Sequence, residues 1–136
     1  MSFESGISEI VLVVEDVARA ARFYREVVDL QPSTYGSGPE WAWFWVGDPK
    51  NHQRLAVHKG PLLYEEHSPL PEGKRWGQVH FALNVEPARL SEAVEHVKAC
   101  GVEVYGPIDF KWMNARSYYF YDPDGNLVEF WSPGAK

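Results

Sequence analysis

Glu9-Ile10-Val11-Leu12-Val13-Val14 (EIVLVV), near the start, and His80-Phe81-Ala82-Leu83-Asn84-Val85 (HFALNV), in the second half, decide the fold. The first closes an almost wholly aliphatic run from Ile7, the composition of a strand covered on both faces. Asp16 then stands as a helix N-cap. Val17, Ala20, Ala21, Tyr24, Val27 and Val28 recur at helical spacing up to Leu30, with Arg19, Arg22 and Glu26 on the other side. Gly36, Gly38 and Pro39 break the chain before an aromatic strand from Trp41 to Val46. A turn over Gly47 to Asn51 leads into a further strand from Arg54 to Lys59.

After His80 the same order returns. Gln78 to Val85 reads as a strand, and Pro87 opens a helix whose apolar stripe is Leu90, Ala93, Val94 and Val97. Gly101 ends it, and strands follow near Val102 to Tyr105, Ser117 to Tyr121 and Leu127 to Trp131. Asp122-Pro123-Asp124-Gly125 is a turn between the last two. Two rounds of one strand, one helix and three strands form an internal repeat. Glu9 and His80 then hold the same place in it, at an offset of 80 − 9 = 71. The expected organisation is a single α+β domain over 1–136, with one module over about 7–59 and a second over about 77–132. Residues 60–76, with three Pro and two Gly and no sustained period, form a long connection of the kind that serves as a lid.

Composition narrows the function. The 136 residues are 45% hydrophobic and 15% aromatic, enough for one packed core without disulfides. The single cysteine, Cys100, rules out an internal disulfide and a cysteine-built zinc site. It reads as a packing residue and fits a reducing, cytoplasmic setting. No basic-plus-apolar leader precedes Ser8, and no apolar run approaches the roughly 20 residues of a membrane helix, so a membrane partner is not expected. A net charge of −6 without a Lys/Arg cluster argues against nucleic acid. The expected ligand is a small molecule.

Three residues carry chemistry. Glu9 stands in an aliphatic strand, where a carboxylate is costly unless paired, protonated or bound to a cation; on its own it also reads as a solvated strand start. His80 faces with Ala82 and Asn84, and alone it also reads as a satisfied core histidine. Glu129 lies in Leu127-Val128-Glu129-Phe130-Trp131, otherwise bulky and apolar, and alone it also reads as an edge residue. If the repeat gathers all three, two like charges share a small space, and a divalent cation or a shared proton resolves the repulsion. Trp41, Trp43 and Trp45 fall on one strand face, as an aromatic substrate wall or as core or dimer packing. Ser117, Tyr119 and Tyr121 fall on another. The Gly36–Gly38 pair lacks the strand-to-helix setting of a dinucleotide loop.

Three stretches carry a resemblance: ISEIVLVVEDVARAARFYREVVDL at the start, VHFALNV after the connection, and RSYYFYDPDGNLVEFW near the end. Together they resemble the vicinal oxygen chelate family, the glyoxalase, bleomycin resistance protein and dioxygenase superfamily. The resemblance implies two βαβββ modules in a cupped eight-stranded mixed sheet with flanking helices, a homodimer, and one divalent ion of Zn, Mn, Fe or Ni. It places the ligands on Glu9, His80 and Glu129, with Glu129 or Glu9 able to act as base. Glu9 departs from the His or Gln of the better-known members, which argues against a two-histidine iron site. A fourth ligand would come from Arg54 to Lys59. The offset of 71 sets His58 against Glu129 (129 − 71 = 58), whereas aligning the preceding turns favours a residue nearer Ala56.

By the same resemblance Ser117 and Tyr119 are substrate contacts of the fosfomycin-modifying branch. Val11, and a chain that stops at Lys136 without a basic tail, argue against fosfomycin itself. Two functions compete. One is a metal-dependent lyase, isomerase or dioxygenase whose ion chelates vicinal oxygens of a small substrate and stabilises an anionic intermediate. The other is a metal-free, drug-sequestering protein of the bleomycin resistance kind.

Overall fold

A computed structural model describes residues 2–62, 65–71 and 77–134, except the side chains of residues 35 and 36. The chain divides into two compact units, Met1–Gly77 and Gln78–Lys136. In the first, β1 (Glu9–Val13) leads through α1 (Val17–Glu26) to β2 (Gln31–Ser37), β3 (Trp41–Trp45) and β4 (Arg54–His58). In the second, β5 (His80–Asn84) leads through α2 (Leu90–Ala99) to β6 (Tyr105–Phe110), β7 (Ala115–Tyr121) and β8 (Leu127–Pro133). Each unit forms its own four-stranded mixed sheet, in the orders β1-β4-β3-β2 and β5-β8-β7-β6. The α+β repeat of two βαβββ modules is therefore present, and the connection between β1 and its parallel partner β4 has the same form as that between β5 and β8.

Local chemistry explains most boundaries. The Asp16 carboxylate accepts from Arg19 N at 3.0 Å and starts α1, whose buried stripe is Val17, Ala20, Phe23 and Tyr24. The helix ends at Glu26 rather than Leu30, because the backbone turns into positive φ (65°) at Asp29. Tyr24, fully buried, meets Phe44 of β3, so the core of the first unit lies between α1 and the face made by Leu12, Phe44, Leu55 and Val57. Phe81, Leu90, Val94, Val97, Phe120, Val128 and Phe130 are the corresponding buried residues of the second unit.

Several expectations need correction. The chain does not simply break before Trp41: Gln31–Ser37 is an edge strand, and Pro32 is tolerated because an edge needs no donor on its outer side. The sixth strand runs from Tyr105 to Phe110 and shares only Tyr105 with the expected Val102 to Tyr105. Pro87–Arg89 is a 3-10 turn, and α2 proper starts at Leu90. The first strand is not covered on both faces, since Val13 is 38% exposed. Cys100 is exposed rather than packed, with Sγ 3.9 Å from His96 Nε2. Within the connection 60–76 a 3-10 turn spans Glu65–His67, and residues 63, 64 and 72–76 lie outside the described residues. No described helix is long and apolar enough to cross a membrane.

Candidate metal and substrate site

Strand register sorts the candidate residues into rows. In the first unit the rows on the face away from α1 are Glu9–Arg54–Trp45, Val11–Ala56–Trp43 and Val13–His58–Trp41. In the second they are His80–Leu127–Tyr121, Ala82–Glu129–Tyr119 and Asn84–Trp131–Ser117. Glu9 and His80 are thus equivalent, as the repeat suggested. The register also decides between the two alignments of β4: Ala56, not His58, occupies the place of Glu129. The offset there is 129 − 56 = 73 rather than 71. It is also 90 − 17 = 73 between the helix starts, so the two extra residues lie between β5 and α2, where the Pro87–Arg89 turn is inserted. His58 sits one row further, its Nδ1 buried without a hydrogen-bond partner.

The second unit builds the more defined site. Glu129 is 7% exposed, and a buried carboxylate demands partners on both oxygens. Ser117, fully buried, donates its hydroxyl to Glu129 Oε2 at 2.5 Å. The other oxygen, Oε1, lies 3.1 Å from His80 Nε2. Tyr119 is the direct cross-strand neighbour of Glu129, and its ring centre stands 6.2 Å from that of His80. Burial, and then the Glu129 charge, push the Tyr119 phenol up from its ordinary value.

His80 is not a core histidine, since half of its side chain is exposed. Its Nδ1 is 3.1 Å from the carbonyl oxygen of Leu127, an acceptor only, so Nδ1 carries the proton and donates. In the neutral ring Nε2 then presents a lone pair to a carboxylate oxygen. Two electron pairs cannot face each other at that distance unless a proton or a cation lies between them. A histidine that donates one nitrogen to a backbone carbonyl and turns the other towards a carboxylate has the arrangement of a metal ligand. His80 and Glu129 supply two donors of the kinds that a divalent ion takes.

The matched face of the first unit is aromatic. Trp41, Trp43 and Trp45 are all half-buried, with the Trp41 and Trp43 rings 5.0 Å apart and inclined by 39°. Arg54 lies over Trp45, with Cζ 6.0 Å from the ring centre. Glu9 is exposed at the start of β1. Within either unit taken by itself, no three described His, Cys, Asp or Glu side chains are gathered to hold a metal.

The sequence profile described as the Glyoxalase/Bleomycin resistance protein/Dioxygenase superfamily matches residues 6–130. The chain belongs to this superfamily. Among its relatives, the fosfomycin resistance protein FosX of Listeria monocytogenes is 26% identical, with 92% of this chain and 87% of FosX covered. A solved protein from the mobile metagenome of V. Pseudocholerae is 27% identical, with a TM-score of 0.74 and 99% of each chain covered. The crystal structure of Listeria monocytogenes FosX, complexed with Mn(II) and sulfate, shares the fold at a TM-score of 0.68 and 23% identity. That match covers 96% of this chain and 92% of FosX.

The sequence pointed to the residues of the site but not to their division of labour. Ser117, expected as a substrate contact, is engaged with Glu129. Asp122, read as a turn residue, and Asn126, noted only within the stretch RSYYFYDPDGNLVEFW, are both buried; Asn126 accepts from Val79 N just before β5 and donates its Nδ2 to Asp122. The signal for that role was two acceptor side chains in a turn preceding a buried strand.

Proposed function

We propose that this superfamily member is a divalent-metal-dependent enzyme acting on a small substrate with two neighbouring oxygens. The observation that carries the proposal is the His80 ring, which donates from Nδ1 to Leu127 and turns Nε2 towards a buried carboxylate. The proposed ligands are Glu9, His80 and Glu129. Glu9 enters on its register equivalence with His80. His58, the expected fourth ligand, lies on the same face one row beyond Ala56, which occupies the Glu129 position. When bound, the ion supplies Lewis acidity and a template for two substrate oxygens. The chain's own groups do the rest. Ser117 keeps Oε2 of Glu129 hydrogen-bonded and so holds Oε1 towards His80. Glu129 or Glu9 accepts the substrate proton. Tyr119, its phenol kept protonated, can donate a hydrogen bond to developing negative charge. Trp41, Trp43 and Trp45, on the matched face of the first unit, are the proposed apolar substrate contacts. The reading includes a homodimer, because edge strands such as β2 and β6 need cover, and it places the protein in the cytoplasm.

The solved relative complexed with Mn(II) makes Mn(II) the first ion to test. Elemental analysis of protein purified without a metal-affinity column should find one ion per chain. Calorimetric titration of stripped protein with Mn(II) and Zn(II) should show binding that weakens at least about tenfold in His80→Ala, with unchanged circular dichroism. Protein that is metal-free as purified and binds neither ion overturns the reading. The FosX relationship makes fosfomycin a compound to assay, with Ser117 already donating its hydroxyl to Glu129.

The half-exposed tryptophan face favours a second reading, a metal-free protein that sequesters a flat ligand. Quenching of tryptophan fluorescence by ligand in stripped protein, lost in Trp43→Ala and indifferent to His80→Ala, would select it.

A further inference from the structure

His80 is the first residue of an edge strand, the place where backbone frays most readily. Yet its ring must hold one orientation for Nδ1 to reach Leu127 and Nε2 to face Glu129. The preceding residue, Val79, is tied down twice. Its carbonyl accepts from Leu127 N at 2.9 Å, and its N–H donates to Asn126 Oδ1 at 2.9 Å. Asn126 is itself fixed by Asp122. One carboxylate oxygen of Asp122 accepts from Asp124 N (2.9 Å) and Asn126 N (2.8 Å), and the other accepts from Asn126 Nδ2 (2.8 Å). Asp122 N donates back to Asn126 O at 2.9 Å. The amide of Asn126 thus has its Nδ2 aimed at a carboxylate, which leaves Oδ1 only the Val79 side.

We infer that Asp122 and Asn126 form a clasp that pins the start of β5 to β8 and thereby aims the His80 ring at Glu129; both are positioning residues for the proposed metal site. The inference rests on the metal reading for its purpose but not for its geometry. The first unit supplies a contrast. There the backbone bond from Arg54 N to Ser8 O (2.9 Å) matches that from Leu127 N to Val79 O, but Gln53, in the place of Asn126, is exposed. Among the described residues no side chain caps Ser8 N, and the residue so left unpinned is the exposed Glu9.

The test uses the full-length, metal-free, ¹⁵N-labelled protein. In the wild type the His80 ring should show the Nδ1–H tautomer, and the Val79 amide should exchange as slowly as the amides of β8. Asn126→Ala should mix the two tautomers, speed Val79 exchange at least about tenfold and weaken Mn(II) binding by about tenfold, as loss of an outer-shell support does. Asp122→Asn, which preserves size and the bonds to backbone N–H, should act in the same direction and less. Gln53→Ala should change none of these. Unaltered His80 tautomer and Val79 exchange in a folded Asn126→Ala protein overturns the clasp. So does a wild-type Val79 amide that exchanges far faster than β8, which needs no variant. If Mn(II) binding is absent even in the wild type, the metal reading fails, while tautomer and exchange still decide the clasp.

Discussion

The two sheets place different chemistry on the same frame. At matched register positions the first unit carries Trp41, Trp43 and Trp45, and the second carries Ser117, Tyr119 and Tyr121. Where the second unit has Glu129, flanked by Ala82 and Tyr119, the first has Ala56, flanked by Val11 and Trp43. The difference is systematic. A buried carboxylate is tolerable only where a donor reaches it, and the donor is Ser117; the matching position in the first unit is an indole, Trp41. A small apolar residue beneath tryptophans suits one sheet, and a hydrogen-bonded acid suits the other. One repeat carries an indole face and the other a hydrogen-bonded acid.

Exchanging these features should break the comparison most severely at Ala56. Ala56→Glu puts a carboxylate at a position only 2% exposed with no Ser117 equivalent, and should destabilise the protein by roughly 3–5 kcal/mol, the cost of an uncompensated buried charge. Urea unfolding measures it. A loss below 1 kcal/mol would mean that the donor is not what distinguishes the sheets. Ser117→Ala removes the donor from the second unit and should cost about 2 kcal/mol in the same measurement, because Glu129 Oε2 then lacks its partner.

A smaller effect is expected at the paired strand starts. Glu9→His makes the first residues of β1 and β5 alike, and should tighten Zn(II) binding by on the order of tenfold, since imidazole suits softer ions than carboxylate does. Unchanged Zn(II) affinity in calorimetry would remove Glu9 from the ligand set. The smallest effect lies at the outer hairpin of the second unit, where Arg116 Nε donates to Asp109 Oδ1 at 2.7 Å. That hydrogen bond, with the charges of Arg116 and Lys111, holds the Asp109 carboxyl below its ordinary value. Asp109 therefore contributes stability above its unfolded-state pKa and loses it as pH falls through the lower folded value. Asp109→Asn should lower the melting temperature slightly at neutral pH. The gap should close as the pH falls below about 4, and in high salt.

What was legible in the sequence was whatever local pattern carries. The aliphatic runs, Asp16 before its helix, Pro87 and the Asp122–Gly125 turn placed one helix and the parallel strand pair of each repeat, and alternation along the strands put Glu9, His80 and Glu129 on their proper faces. Gln31–Ser37 was not legible, because Pro32 and Gly36 contradict strand propensity and only pairing with Trp41–Trp45 overrides it. The start of the sixth strand was missed for a related reason, since Val102 and Val104 look like strand residues but make no ladder. The superfamily, too, followed from motifs spread over nearly the whole chain.

Tertiary structure alone decided three matters. It gave Ala56 rather than His58 the place in the repeat that Glu129 holds, since a two-residue insertion before α2 shifts the offset, and offsets along a chain cannot show where such an insertion falls. It brought the Ser117 hydroxyl to Glu129, because which hydroxyl meets which carboxylate depends on cross-strand register. And it joined Asn126 to Val79, 47 positions away, in a bond between a side-chain amide and a backbone N–H that leaves no periodic trace in sequence. A sequence displays periodicity and residue type; hydrogen bonds between distant strands come into being only when the sheet closes.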